Sequence, residues 1–483
     1  MSRSHISPNA LRVLYRLRDA GFMAFLVGGC VRDLLVGIEP KDFDVATDAL
    51  PEELKRLFRN CRLVGRRFRL AHVFFGRDII EVATFRATSA PSQGDEPLPA
   101  ADPEDGESAE LDDAALDADA TEVAAIARPR AAGRRGGGAD DADSGARMLD
   151  ASGRILRDNV YGTIDEDVWR RDFTANALYY NIADFSLWDY VGGAHDIKAR
   201  TLKLIGDPET RFREDPVRML RAARFEAKLG FTIDPPTARP IGALRELLAA
   251  VPPARLFDET LKLFLTGHGA RSFPVLRRRG LLGALLPTVE AYFASHPGSL
   301  VEKLLVQGLE NTDARVAADK PVTPTFLFAL LLYGPIAGII EATPPERWHE
   351  LATILDACDQ ATREGQSRIA IPKRFSLGVR EMFALQPRLE HPRGRRALRV
   401  LEHPRFRAAY DLLLLRAQFG LAPAEMAQWW TRLQEVSAEE RGTMADALAG
   451  GPRAGAGPPR SDGAPRRRGG RRRGRRAPKT ANP

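Results

Sequence analysis

The sequence predicts an α+β protein in which a small mixed-sheet head precedes a mostly α-helical neck and body. Residues 59–86 alternate apolar and polar side chains and are rich in β-formers, which reads as paired strands. From about residue 209 to residue 448, apolar residues recur instead at helical spacing between Pro and Gly breaks. Residues 90–150 fit neither pattern, because Ala, Asp, Glu, Gly and Pro dominate and no aromatic residue occurs. Such a segment buries too little apolar surface to offset the entropy of ordering, so disorder is expected there.

Taken in order, residues 11–20 have the apolar spacing of a helix leading into a strand at 24–27. The stretch from Phe25 to Asp44, FLVGGCVRDLLVGIEPKDFD, then organises the head. Gly28 and Gly29 let backbone amides approach a phosphate closely, and a helix beginning near Val31 adds its positive end. Arg32 supplies a planar fork for phosphate oxygens. Asp42 and Asp44 lie one residue apart, so on a strand they share a face. Two carboxylates that close repel unless a cation sits between them, which makes the pair a candidate Mg²⁺ (or Mn²⁺) site. The alternative is a solvated turn at Pro40–Lys41–Asp42. A phosphate grip followed by a metal grip suits nucleotidyl transfer.

Residues 51–58 place Pro at a first helical position and acids before bases, as a helix start prefers. Strands are expected at 70–75 and 78–85, joined by a turn at Gly76–Arg77–Asp78. The chemistry resumes after the acidic segment, in residues 154–194, whose FSLWDYVGG run reads as a strand and turn. The expected organisation is therefore a head in two parts, 11–89 and 151–200, around a disordered acidic insertion, 90–150. A helical neck, 201–266, a helical body, 267–448, and a disordered Arg-rich tail, 449–483, follow.

Composition narrows the class. The chain has 483 residues and a 44% hydrophobic fraction, enough for several domains and a sizeable core. Its three cysteines, Cys30, Cys61 and Cys358, form no C-x-x-C pair and no disulfide framework, so a reducing cytoplasm is expected. The N-terminus lacks a signal-peptide core, and the apolar run from Pro321 to Ile340 is broken at Gly334–Pro335, as in a buried helix. The net charge of +7 hides an asymmetry: residues 451–483 carry eleven basic side chains against one acid. Residues 90–150 carry sixteen acids against five arginines. What remains is basic in its own right, which favours a polyanionic partner.

The motif GG-x-VRD followed by DFD resembles the signature of the nucleotidyltransferase branch that holds bacterial poly(A) polymerases and CCA-adding tRNA nucleotidyltransferases. RRDFTANA, residues 170–177, resembles the second motif of that family. By that resemblance Asp172 is a third catalytic, metal-binding carboxylate beside Asp42 and Asp44, and Arg171 and Asn176 lie near the nucleotide, with Arg170 less directly involved. Read on its own, Asp172 is also an acceptable helix N-cap. Glu81, in IIEVATFR, is a further acid that either faces the metal site or is a half-exposed strand residue. EDPVR at 214–218 is similar to the family element whose Asp and Arg, here Asp215 and Arg218, read the base edge of the incoming nucleotide. An Asp accepts from adenine's exocyclic amine while an Arg donates to a ring nitrogen. The plain reading is an acid and an arginine three apart at a helix start, beginning with Glu214. Arg221 and Arg224 continue the same basic face. His195–Asp196 lacks companion ligands and reads as a turn feature, and His72 as a strand residue.

LVGRRFRLAHV, residues 63–73, resembles the poly(A) polymerase branch more than the CCA-adding one. AIPKR at 370–374 and RVLEHPRFRAAYDLL at 399–413 are similar to the body of those polymerases. The resemblance implies template-independent addition of AMP from ATP to RNA 3′ ends, promoting RNA decay in the cytoplasm. It also implies work with decay machinery and an Sm-like RNA chaperone. Two rivals remain: a CCA-adding enzyme with the same chemistry, and a non-catalytic RNA-binding adaptor. The Arg/Gly tail has no aromatic residue and offers salt-sensitive phosphate attraction without base reading.

Overall fold

The computed structural model describes residues 3–65, 69–87, 148–149, 155–157 and 160–448. The chain enters through α1 (Pro8–Asp19), whose first turn is closed by the Ser7 hydroxyl accepting from the Asn9 amide. Then come β1 (Ala24–Val27), α2 (Gly29–Val36), β2 (Asp44–Thr47), α3 (Pro51–Leu57), β3 (Cys61–Val64), β4 (Leu70–Phe75) and β5 (Asp78–Thr84). The strand expectations hold to within a residue here. The helix α2 starts at Gly29 rather than near Val31, because Gly28 turns the chain with φ 78°, which a glycine adopts without strain. The strand β2 starts at Asp44, so exposed Asp42 lies in the preceding loop and not on the strand.

Met148–Leu149 (β6) pairs antiparallel with Ile155–Arg157 (β7), so part of the segment expected to be disordered forms a ladder. The rest of residues 90–150, and the tail from residue 449, lie outside the described residues. The head continues with α4 (Ile164–Trp169), β8 (Leu178–Asn181), β9 (Leu187–Asp189), α5 (Gly193–Lys198) and β10 (Thr201–Leu202). The neck carries α6 (Pro208–Glu214), α7 (Val217–Leu229) and β11 (Thr232–Ile233), which pairs parallel with β10. Two short helices, Pro235–Ala238 and Ile241–Leu244, follow, and longer ones, beginning with α8 (Pro253–Phe264) and α9 (Gly269–Arg278), run to Ala438–Ala447.

The main sheet has seven strands in the order β3-β4-β5-β2-β1-β8-β9. Its β2–β5 pair is parallel and its other pairs antiparallel, which makes it the mixed sheet that was expected. Alternation along β1 splits the core. Ala24 and Leu26 join the large apolar cluster that continues into neck and body, whereas Phe25 and Val27 join a smaller one with Ala46, Phe85, Val168 and Tyr179. Aromatic edges close the smaller cluster: Phe25 and Tyr179 meet at 6.0 Å and 88°.

In the body, Pro324–Leu331 and Tyr333–Glu341 meet at 42°, and among the described residues no single helix is long and apolar enough to cross a membrane. The break falls at Leu332, two residues before the expected Gly334–Pro335. Pro335 is thus in the first turn of the second helix, where its missing N–H costs nothing.

Candidate active site

The face of the sheet that carries the smaller cluster also carries the candidate chemistry. In the β1–β2 register Val27 faces Asp44, and in the β2–β5 register Asp44 faces Glu81. Glu81 in turn faces His72 on β4, with Nε2 3.6 Å from Oε1. Three adjacent strands therefore set Asp44, Glu81 and His72 in a row on one face.

The glycine turn ends beside that row. A Cβ added at Gly28 would stand 3.8 Å from Arg171 Nη1 and 4.0 Å from Asp44 Oδ2. The bare glycine thus keeps open a small space bordered by a guanidinium and a carboxylate. Burial, together with the negative charge of Asp44, pushes the neighbouring Cys30 thiol up to about 12, so it stays protonated and inert. Divalent Mg²⁺ and Mn²⁺ prefer oxygen donors, and the Asp44 carboxylate beside this space, with that of Asp42 two residues before it in the loop, is chemically suited to either.

Asp172 is held by its own set of partners. Arg221 donates from Nε and Nη2 to its Oδ2 at 2.8 and 2.5 Å. The Phe173 amide and Asn176 Nδ2 donate to Oδ1 at 2.8 and 3.2 Å. Burial alone would raise its pKa, but the Arg221 charge and these hydrogen bonds outweigh it and hold the carboxyl well below its usual range. Among the described residues no three Asp, Glu, His or Cys side chains converge as a metal-binding group. Of the expected trio Asp42, Asp44 and Asp172, the last is neutralised by Arg221 in this arrangement.

Arg32 is 2% exposed. It donates to Asn176 Oδ1 at 2.5 Å and forks onto Asp33 Oδ1 at 2.8 and 2.6 Å, while Lys228 reaches Asp33 from the neck at 3.2 Å. Arg171 is held by Asp167 at 2.9 Å and by the Tyr179 hydroxyl at 2.6 Å, with Arg170 on the same carboxylate at 2.8 Å. The first-turn capping box of α4, Thr163 with Glu166, sets the helix that presents Asp167.

In the neck, Asp215 and Arg218 do not pair with each other. Asp215 ends α6 and accepts a two-pronged bond from Arg255 at 2.8 and 2.6 Å. Arg218 donates to Glu214 at 3.0 Å and to the Arg211 carbonyl at 2.7 Å. Arg211 itself donates to the Arg170 and Arg171 carbonyls at 2.8 and 2.6 Å, tying α6 to the head's second motif. Arg224 lies 3.7 Å from Glu259 on α8.

The structure thus brings Gly28, Gly29, Arg32, Asp44, Arg171 and Asn176 to one end of the head, with Asp172 bridging to the neck. Asp167, Asp33, Lys228 and Arg255 were not foreseen. The i,i+3 and i,i+4 spacing of Asp167 with Arg170 and Arg171 was a readable signal. Arg255 lies forty residues from Asp215, and nothing local announces that pairing. His195 donates only to its neighbour Asp196, whose Oδ2 accepts from Thr174, in keeping with a turn role.

Comparison with known proteins agrees with this layout. The family described as "Poly A polymerase head domain" matches residues 24–203. "Probable RNA and SrmB- binding site of polymerase A" matches 230–293, and "Polymerase A arginine-rich C-terminus" matches 346–476. Poly(A) polymerase I of Salmonella typhi is 44% identical over 94% of this chain and 88% of its own length. A CCA-adding enzyme of Bacillus velezensis is 31% identical over 59% of this chain and 56% of its own. A solved tRNA-processing enzyme in apo form superposes with a TM-score of 0.53 at 19% identity, covering 93% of this chain and 98% of that one, which shows a shared fold.

Proposed function

The chain belongs to the poly(A) polymerase family, and from that premise we infer how its residues carry out adenylyl transfer to RNA 3′ ends. It is a polynucleotide adenylyltransferase: the 3′-hydroxyl of an RNA attacks the α-phosphorus of ATP, AMP is added and pyrophosphate leaves, without a template. The extent of the likeness carries this reading. It runs through head, neck and body, whereas the CCA-adding relative matches little more than half of the chain.

Within that activity, the Gly28 and Gly29 amides and Arg32 cradle the triphosphate at the start of α2. Arg171 and Asn176 close on the nucleotide from the second motif. Asp42 and Asp44 are the carboxylates for Mg²⁺ or Mn²⁺, and Glu81, the register partner of Asp44, is the nearest further acid on that face. An ion held by these carboxylates would supply charge stabilisation at the phosphates and acidify the attacking hydroxyl. Asp172 is the third carboxylate of the catalytic set, available to a cation once Arg221, its present partner at 2.5 Å, turns to the phosphates. Asp215 and Arg218 read the adenine edge, with Arg255 aiming Asp215.

The neck, 201–266, contributes nucleotide and RNA contacts, and the body, 267–448, contributes RNA binding. The basic remainder of the chain attracts RNA phosphates. The protein acts in the cytoplasm, marks RNA for decay, and meets decay machinery and an Sm-like RNA chaperone there. Incubating an oligonucleotide primer with ATP alone and with CTP alone tests the assignment. Long A tails are expected, and C incorporation on a tRNA lacking its end, without A tailing, would overturn it in favour of the CCA-adding reading. No extension by either nucleotide would point to the adaptor.

A further inference from the structure

Phe225 sits in α7, on the neck, and is 6% exposed. Three guanidiniums gather on its ring: Arg224 at 4.6 Å, Arg32 at 5.0 Å and Arg221 at 5.6 Å from the centroid. Arg32 comes from the head and the other two from the neck. The ring also meets Phe173, the residue after Asp172, at 5.6 Å and 86°. One neck side chain therefore touches both head motifs at once.

Three like charges around one point repel, and each has a compensating anion elsewhere: Asp33 for Arg32, Asp172 for Arg221 and Glu259 for Arg224. The third compensation is the poorest. Arg224 Nε and Glu259 Oε2 are both buried without a hydrogen-bond partner. Burial, and then the nearby Arg221 and Arg32 charges acting against Glu259, lower the Arg224 pKa to about 10. The electron-rich faces of an aromatic ring are the other stabilising contact available to such cations.

We propose that Phe225 is a positioning residue whose ring holds Arg32, Arg221 and Arg224 in one array that is preformed for the nucleotide's triphosphate. The proposal rests on the reading that Arg32 grips that triphosphate. A preformed array spares the substrate the work of gathering three repelling side chains, so its loss weakens nucleotide binding more than turnover.

The test compares ATP kinetics of the full-length chain with Phe225→Leu and Phe225→Tyr, alongside Arg32→Ala. Phe225→Leu keeps an apolar side chain and removes the ring. It is expected to raise KM for ATP about tenfold with kcat within about twofold, while Phe225→Tyr stays near wild type. Equal KM in wild type and Phe225→Leu overturns the proposal, as does Phe225→Tyr failing together with Phe225→Leu. Fluorinated phenylalanines placed at 225 keep the shape and drain the ring's negative face, so they serve where the leucine variant does not fold. KM should climb with each added fluorine, and a flat series overturns the proposal. If Arg32→Ala leaves KM unchanged, the triphosphate reading itself fails, which separates the two failures.

Discussion

Arg221 of the neck helix α7 closes on Asp172 of the head, with two nitrogens at 2.8 and 2.5 Å from a single carboxylate oxygen. The pair joins the second motif of the head to the neck helix. It is one of several head–neck ties, beside Arg211 on the Arg170 and Arg171 carbonyls and Lys228 on Asp33, and the one made by a charge-assisted fork on a candidate catalytic carboxylate.

Asp172→Asn leaves Arg221 poorly compensated and is expected to cost about 1–3 kcal/mol of unfolding free energy, the lower part of the range for buried pairs because Arg221 is partly exposed. The folded-state pKa of Asp172 is depressed, so its contribution is present above the unfolded value and lost as pH falls below about 4. Urea midpoints measured from pH 6 to pH 3 should fall less steeply in Asp172→Asn than in wild type. Parallel curves would refute this.

Asp42→Ala and Asp44→Ala are each expected to lower AMP incorporation by about 100- to 1000-fold, since a metal-held phosphate contributes several kcal/mol to the barrier. Circular dichroism and RNA retention should remain those of wild type, because Asp42 is exposed and Asp44 begins its strand. Glu81→Gln is expected to cost roughly tenfold in kcat. An unchanged kcat would remove Glu81 from the site.

Arg255→Met removes the fork that orients Asp215 while keeping an apolar stem. The KM for ATP should rise about tenfold and selectivity over CTP should fall, because an unaimed Asp no longer accepts from the adenine amine. Competition assays with mixed nucleotides read this directly. Intact selectivity would show that Arg255 has no part in base choice.

His268 is 3% exposed, and burial first, then Arg224, Lys228 and Arg271, lower its pKa to about 4. It is neutral in the fold, whereas an unfolded histidine takes up a proton near 6.5. The unfolded state therefore binds more protons, and stability is lost as pH falls from about 6.5 to 4, by about 2–3 kcal/mol. Replacing His268 with Gln should flatten stability across that window and leave it unchanged above pH 7.5. Equal slopes in the two proteins would disprove it.

Much of the head was legible because its signals are local. Apolar alternation marked β4 and β5, the paired glycines marked the turn before α2, and Pro51 marked α3. The onset of β2 was misjudged by two residues, since a period of two cannot say where hydrogen bonding begins. The apolar run in the body was read as buried, and it is for the most part, but the kink came two residues early because Pro335 is accepted in a first turn.

The sequence by itself determined the chemistry on offer: a glycine turn with Arg32, acids at Asp42 and Asp44, a second cluster from Arg170 to Asn176, and a basic remainder. Those are questions of residue type and short spacing. Tertiary structure alone decided who partners whom. Strand register set Glu81 beside Asp44, and neck packing gave Asp172 to Arg221, Asp215 to Arg255 and Arg32 to Phe225. The physical reason is that a buried charge takes the compensating group that the fold brings nearest, and that group lay some forty residues away or more.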